Sequence, residues 1–327
     1  MRALVCLVAL VGCSSDSAAG NPTDASLDTP DTDSGAPFRG FRMTTPTQTL
    51  PPGTDATYCF YFRTPNTEPM AITKWSSLMS EGHHHLIMYL TANEVMPAGT
   101  MSATNCGFDN VANFSNAPVW TYAAQTELNE IALPTDDGTG RPVAQIVPPN
   151  SPGFFQIHFI NAGETTLIAS AMLTADALDA DAHFTQTAAF VTYDQSITIP
   201  PMTNNVATQK TCTTPTGAKF WSMTTHTHKQ AISTEVKNGM PASADIAFQS
   251  ADWEHPGTQR WASAPFYSFA SGGNKLTVTC TYNNASQRTI MAGDNTERDE
   301  LCMASGYYFP ANNDTFCVCS SAGCVNF

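Results

Sequence analysis

Residues 154–173 read FFQIHFINAGETTLIASAML. Two short runs rich in aromatic and β-branched residues, Phe154 to Ile160 and Thr166 to Leu173, are separated by Asn and Gly, the pattern of strands joined by a turn. The same pattern recurs outward in both directions, in Ala56 to Arg63, Leu86 to Leu90, Ala188 to Tyr193, Ile197 to Ile199, Lys219 to Met223, Ala231 to Val236 and Lys275 to Tyr282. Long segments with a 3.6-residue apolar period are scarce. The chain is therefore expected to be all-β, built as two consecutive jelly-roll-like β-sandwich domains. The stretch ADALDADAHFTQ, 175–186, is small, polar and acidic and marks a boundary, giving an N-terminal domain over 39–180 and a C-terminal domain over 181–327.

At 327 residues the chain is long enough for two cores. Its net charge is -14, with only 14 Lys and Arg, so a nucleic-acid partner is not expected, because phosphate binding needs cations. An anionic membrane surface is disfavoured for the same reason.

The N-terminus has one basic residue, Arg2, followed by the apolar run Ala3 to Val11, too short to span a bilayer as a mature helix. LVGC, residues 10–13, resembles the lipobox of bacterial lipoproteins, which implies a signal peptide over 1–12 and lipidation of Cys13; an ordinary secretory signal cleaved nearby is the alternative. Residues 13–38 are rich in Ser, Thr, Pro and Asp and are expected to form a solvated tether. The protein is then exported and held by lipid to the bacterial cell envelope, at the outer membrane. Eight further cysteines, Cys59, Cys106, Cys212, Cys280, Cys302, Cys317, Cys319 and Cys324, imply a disulfide framework in an exported protein. The tail cluster Cys317, Cys319 and Cys324 also has the look of a thiolate site, but without a neighbouring histidine the disulfide reading is preferred.

Six of the eight histidines fall in strand-like segments. His83, His84 and His85 open an apolar run, His158 is centred in another, and His226 and His228 are two residues apart. In a strand, His226 and His228 share a face about 7 Å apart at Cα, from which two imidazoles can converge on one ion. Strict alternation would put His83 and His85 on one face and His84 on the other, whereas a bulge would turn adjacent rings together. A buried His158 needs a partner, either a metal or a hydrogen bond. His183 and His255 are expected to be solvated or capping residues, and Tyr307, Tyr308 and Phe309 to be core. Nucleophile-elbow, P-loop, dinucleotide and H-E-x-x-H signatures are missing.

From about Thr57 to Pro310 the chain resembles the type II copper, ascorbate-dependent monooxygenases, the family of peptidylglycine α-hydroxylating and dopamine β-monooxygenase. The resemblance is carried by YCFYFRTP (58–65), HHLIMY (84–89), VWTYA (119–123), LPTDDGTGRP (133–142), FFQIHFIN (154–161), THTH (225–228), CTYNN (280–284) and GDNTERDELC (293–302). It implies two copper ions in two jelly-roll domains facing a solvent-filled cleft. His84, His85 and His158 would hold an electron-transfer copper, with His83 as an extra neighbour. His226 and His228 would be the catalytic ligands of the copper where O2 meets substrate. It also implies disulfides Cys59–Cys106 and Cys280–Cys302; Cys212 is then expected to pair with Cys319, and Cys317 with Cys324.

The chain departs from that pattern at Leu301, where the family's Glu-Met-Cys methionine supplies the third, thioether ligand and leucine has no donor. Met303, about 7 Å along a strand, reads as too far for a simple replacement, and Met291 as weaker still. Thr224 stands where the peptide-amidating enzyme has a carboxylate-binding arginine, so peptide amidation is not supported. The expected activity is copper-dependent hydroxylation of a C–H bond of a small substrate with O2 and an external reductant such as ascorbate. The alternatives are a non-catalytic copper-binding or surface interaction protein that keeps the scaffold, favoured by Leu301, and a lectin-like jelly roll with incidental histidines.

Overall fold

In the computed structural model the residues described are 38–103, 118–293 and 298–327. The segments expected to be signal peptide and tether before Phe38, with Cys13, and Cys106 lie outside them. Residues Phe38–Phe327 form one compact unit, and among the described residues the regular structure is almost entirely strand. The fold is an all-β sandwich architecture.

Strands before residue 187 make a six-stranded sheet, in which Gly40–Thr44, Ala171–Ala177, Met70–Met79 and Val143–Val147 lie side by side, facing a five-stranded sheet ordered Met101–Ser102, Thr54–Arg63, Pro152–Asn161, His83–Leu90 and Val119–Ala124. Alternate side chains meet between them: Ile72, Trp75, Tyr122, Phe155, Ile157 and Leu173 are almost fully buried. The buried indole of Trp75 donates to Gln145 Oε1 at 2.9 Å, so no polar atom of that ring is stranded in the core. Pro152–Asn161 is the centre of the five-stranded sheet, which explains why FFQIHFIN is apolar on both faces.

Strands from Ala188 onward make a second pair of sheets. One is ordered Gln259–Arg260, Lys219–His226, Met303–Phe309, Ala188–Asp194, Thr315–Ser320 and Gly323–Asn326; the other is ordered Thr203–Thr213, Lys275–Asn284, Ala231–Asn238 and Ile246–Ser250. Their core holds Phe190, Phe220, Val278, Tyr282 and Tyr308. Alternation along Met303–Phe309 joins the two cores. Ala304 and Tyr308 face the second core, while Met303, Tyr307 and Phe309 pack on the first, and the Tyr307 hydroxyl donates to Thr121 O at 3.0 Å. Tyr307, Tyr308 and Phe309 are thus core residues, as expected.

Cys280–Cys302 forms as anticipated, and Cys59 is a buried disulfide cysteine. The tail pairing differs from expectation: the bonds are Cys212–Cys317 and Cys319–Cys324, not Cys212–Cys319 and Cys317–Cys324. The cause is register. The hairpin sets Cys324 directly opposite Cys319 and Asn326 opposite Cys317, leaving Cys317 for Cys212. Cys212 Sγ is only 3.8 Å from Cys319 Sγ, so spacing alone could not have ordered the three. With all four sulfurs in disulfides, the tail carries no thiolate site.

Candidate copper centres

The first histidine group is built by a turn, a register and a bulge. Gly82 adopts φ +92, and a Cβ there would sit 2.8 Å from Leu50 Cδ1, so glycine is required where the chain turns into His83–Leu90. That strand pairs with Pro152–Asn161 so that His85 lies opposite His158. The next pair is His83 with Phe159, which makes His84 the extra residue of a bulge. The bulge resolves the ambiguity in the triplet. His84 turns to the side of His85 and His158, with ring centroids 5.1–5.5 Å apart among the three, while His83 packs on Phe159 at 4.8 Å.

One ring nitrogen from each of His84, His85 and His158 lies within 4.8 Å of the others. Their tautomers follow from acceptors that can only receive a proton. His84 Nε2 donates to Glu254 Oε1 at 2.8 Å, and His158 Nε2 donates to Asp55 Oδ1 at 2.7 Å, which leaves the Nδ1 lone pair on each. His84 Nδ1 then faces His85 Nδ1 at 3.3 Å, and two ring nitrogens that close need either a shared proton or a shared cation. His158 Nδ1 and His85 Nε2 are buried without a hydrogen-bond partner among the described residues. Burial, reinforced by His158 and the other imidazoles, pushes His85 well below the usual histidine range, and burial also lowers His84 against the opposing pull of Glu254. Convergent imidazoles, two buried and one half-buried, are the donor set a late first-row transition metal takes. His83 is different: its Nδ1 donates to Ser80 O at 2.8 Å and its ring stays outside the group.

The second group sits at a strand end. Lys219–His226 finishes on His226, with His228 just beyond it, and the two rings stand 5.5 Å apart at 85°. His228 Nδ1 donates to Asp299 O at 3.0 Å, leaving its Nε2 lone pair. The connecting backbone is fixed by Glu300, fully buried, whose carboxylate accepts from His228 N at 3.0 Å and Gln230 N at 2.7 Å. Burial drives this carboxyl up to about 7, against the pull of those backbone N–H groups. Burial and the charge of neighbouring imidazoles hold His226 down to about 3, and burial lowers His228 as well.

Leu301 is buried, its carbonyl accepting from the Tyr282 hydroxyl at 2.8 Å, and it lies outside the regular strand. The strand begins at Met303, which is paired directly with His226. Directly opposite residues share a face with Cβ atoms about 5 Å apart. Met303 thus stands across the ladder from His226, a placement that spacing along the strand from Leu301 does not describe. Met291 is exposed in a separate two-stranded piece, with its sulfur 3.8 Å from Thr198 Oγ1.

The two groups are near neighbours. His226 and His228 both act electrostatically on His85, His84 acts on His226, and the Trp120 ring lies 6.5 Å from that of His226. Glu254, from the second half of the chain, accepts from His84 of the first. The residues that sequence reading identified therefore come together as two sets, His84/His85/His158 and His226/His228.

Residues 186–326 match the model of the copper type II ascorbate-dependent monooxygenase C-terminal domain. The match contains His226, His228, Glu300, Met303 and the Cys280–Cys302 disulfide, and it supports the family, a copper monooxygenase-like kind of function, and copper as the metal. His84, His85 and His158 precede the matched stretch. Among solved structures, the chain aligns with one described as the triple jelly roll fold and turret assembly in an archaeal virus at 7% identity and TM-score 0.19, covering 83% of this chain and 59% of that one. It also aligns with the VP2 subviral particle of infectious bursal disease virus at 10% identity and TM-score 0.15, covering 83% of this chain and 80% of the other. Superpositions this loose carry no argument, and the fold rests on the sheets themselves.

Three participants escaped the sequence reading: Asp55 and Glu254 orient first-group rings, and Glu300 holds the second-group loop. His255 is exposed, as anticipated, with its ring 6.0 Å from that of His84. Asp55 was findable once Thr57 was paired with His158, because it lies two residues along the same face. No local signal marks Glu254. His183 is exposed, as anticipated.

Proposed function

We propose that this is an exported, lipid-anchored copper monooxygenase-like protein that hydroxylates a C–H bond of a small substrate. One copper would be held by His84, His85 and His158 for electron transfer, and a second by His226, His228 and, through its thioether, Met303 on the oxygen side. The observation that carries this reading is the set of three convergent imidazole nitrogens beside a second histidine pair in the half that matches the family. Copper, when bound, supplies one-electron redox chemistry and the activation of O2. Insertion of one oxygen atom into C–H releases the other as water and consumes two electrons and two protons, which an external reductant such as ascorbate supplies.

The protein's own part is preorganisation. Asp55 and Glu254 fix ring orientation, Asp299 O selects the His228 tautomer, and Glu300 holds the turn between His226 and Gln230. A pair of imidazoles with a soft thioether favours Cu(I), the state that meets O2, and Met303 supplies the sulfur that Leu301 lacks.

The test is O2 uptake by the copper-loaded protein with ascorbate and a panel of small C–H substrates. Product formed in proportion to O2 consumed, and lost in His226→Ala, is expected. Leu301 favours one other reading, a copper-binding protein without turnover. Tight copper with no product, both in the native chain and after Leu301→Met, would establish that reading instead.

A further inference from the structure

The loop between Ile246–Ser250 and Gln259–Arg260 belongs to the second half of the chain, yet it supplies a hydrogen bond to the first histidine group. Its conformation is built in. Asp252 Oδ1 accepts from the backbone N–H of Glu254 at 3.0 Å and of His255 at 2.9 Å, and Thr224 Oγ1 donates to Gly257 O at 2.5 Å. Gln259 and Arg260 then pair with Met223 and Ser222. The strand that anchors this loop is Lys219–His226, the one that ends on His226. A single strand therefore carries one member of the second group and steadies the loop that reaches His84.

We infer that Glu254 is a positioning residue for the first histidine group, fixing His84 as its Nε2–H tautomer from the opposite half of the molecule, so that docking of the 251–258 loop completes that site. The carboxylate has no proton to give, so at 2.8 Å from His84 Nε2 it selects that nitrogen as the donor and leaves Nδ1 toward His85. Asp55 does the same for His158 from within the first half. Among the described residues His85 has no such carboxylate and its Nε2 is buried without a partner, so Glu254 and Asp55 together set two of the three rings. A carboxylate on the far nitrogen also raises the basicity of the ring toward a metal.

The inference rests on the copper reading only for its consequence, and the test separates the two. In metal-free protein labelled with 15N-histidine, long-range 1H–15N spectra, with His84 assigned by His84→Gln, are expected to show the Nε2–H tautomer. Glu254→Ala should give a mixture or the Nδ1–H form, and Glu254→Gln, whose amide can donate as well as accept, should no longer hold the Nε2–H form alone. In competition with a chromophoric Cu(I) chelator, Glu254→Ala should weaken one of two copper ions by about 10- to 100-fold and leave the other unchanged. An unchanged His84 tautomer in Glu254→Ala overturns the positioning role even if copper binds. A changed tautomer in a protein that binds no copper leaves the positioning role standing and removes the copper reading. Misfolding is excluded by the His158 and His228 resonances of Glu254→Ala, which must match the native spectrum if the effect is confined to His84.

Discussion

The first histidine group is assembled across two paired strands, and the second from the end of one. His85 and His158 face each other across the two most interior strands of their sheet, and His84 joins them through a bulge. His226 and His228 instead occupy a strand terminus and the turn after it, and are held by backbone contacts to Asp299 and Glu300. The first group offers three nitrogens, two of them oriented by carboxylates. The second offers two nitrogens with a methionine across the ladder. A filled, rigid nitrogen set suits a metal that exchanges electrons without changing its ligands. A set with fewer nitrogens, on elements that end in turns, leaves room for a reacting molecule.

That contrast can be broken most severely by removing a ring. His158→Ala should abolish one tight copper and spare the other, and His226→Ala should do the reverse, read as copper per chain after dialysis. Loss of both ions from either single variant would mean that the two groups are one site. The next largest effect is on the scaffold of the second group. Cys280→Ser with Cys302→Ser opens a loop with a sequence separation of 22 and should cost about 3 kcal/mol in denaturant unfolding. It should also loosen copper at His226 and His228 more than at the first group, because Cys302 adjoins Met303. A smaller effect is expected from Met303→Leu, a weakening of Cu(I) at the second group by about tenfold, or roughly 1.4 kcal/mol, with loss of sulfur scattering in X-ray absorption. Unchanged scattering would remove Met303 from the ligand set.

The smallest effect concerns pH. The folded state holds His226 near 3, below its unfolded value of 6.5, so the stability it contributes is present above 6.5 and is lost as pH falls toward 3. His85 and His84, also lowered, act in the same direction. The metal-free melting temperature should therefore drop on acidification from pH 7 to pH 4, and drop less in His226→Gln. Glu300, raised to about 7, acts oppositely: ionising it in the folded state costs stability as pH rises through about 7.

Much of this was legible in the sequence, for reasons that are local. Phe154 to Ile160 reads as a strand because its residues must be buried on both faces, and the structure makes it the centre of a sheet. The five histidines of the two groups were legible because imidazoles within apolar strands need partners. The choice among His83, His84 and His85 was not, since a bulge is a property of two paired strands and not of one. The pairing of Met303 with His226 is hidden for the same reason, because it belongs to two strands and not to one. The tail disulfides were misassigned where three sulfurs crowd together and only the hairpin register selects among them. Glu254 stands 170 residues from the ring it orients, and no pattern within either segment reports the other.

The central claim is that these imidazoles form two separate copper sites, and an anaerobic Cu(I) titration of the metal-free protein against a competing chelator tests it most directly. Two tight equivalents per chain are predicted, one lost with His158 and the other with His226. No tight equivalent, or binding indifferent to both substitutions, would contradict it.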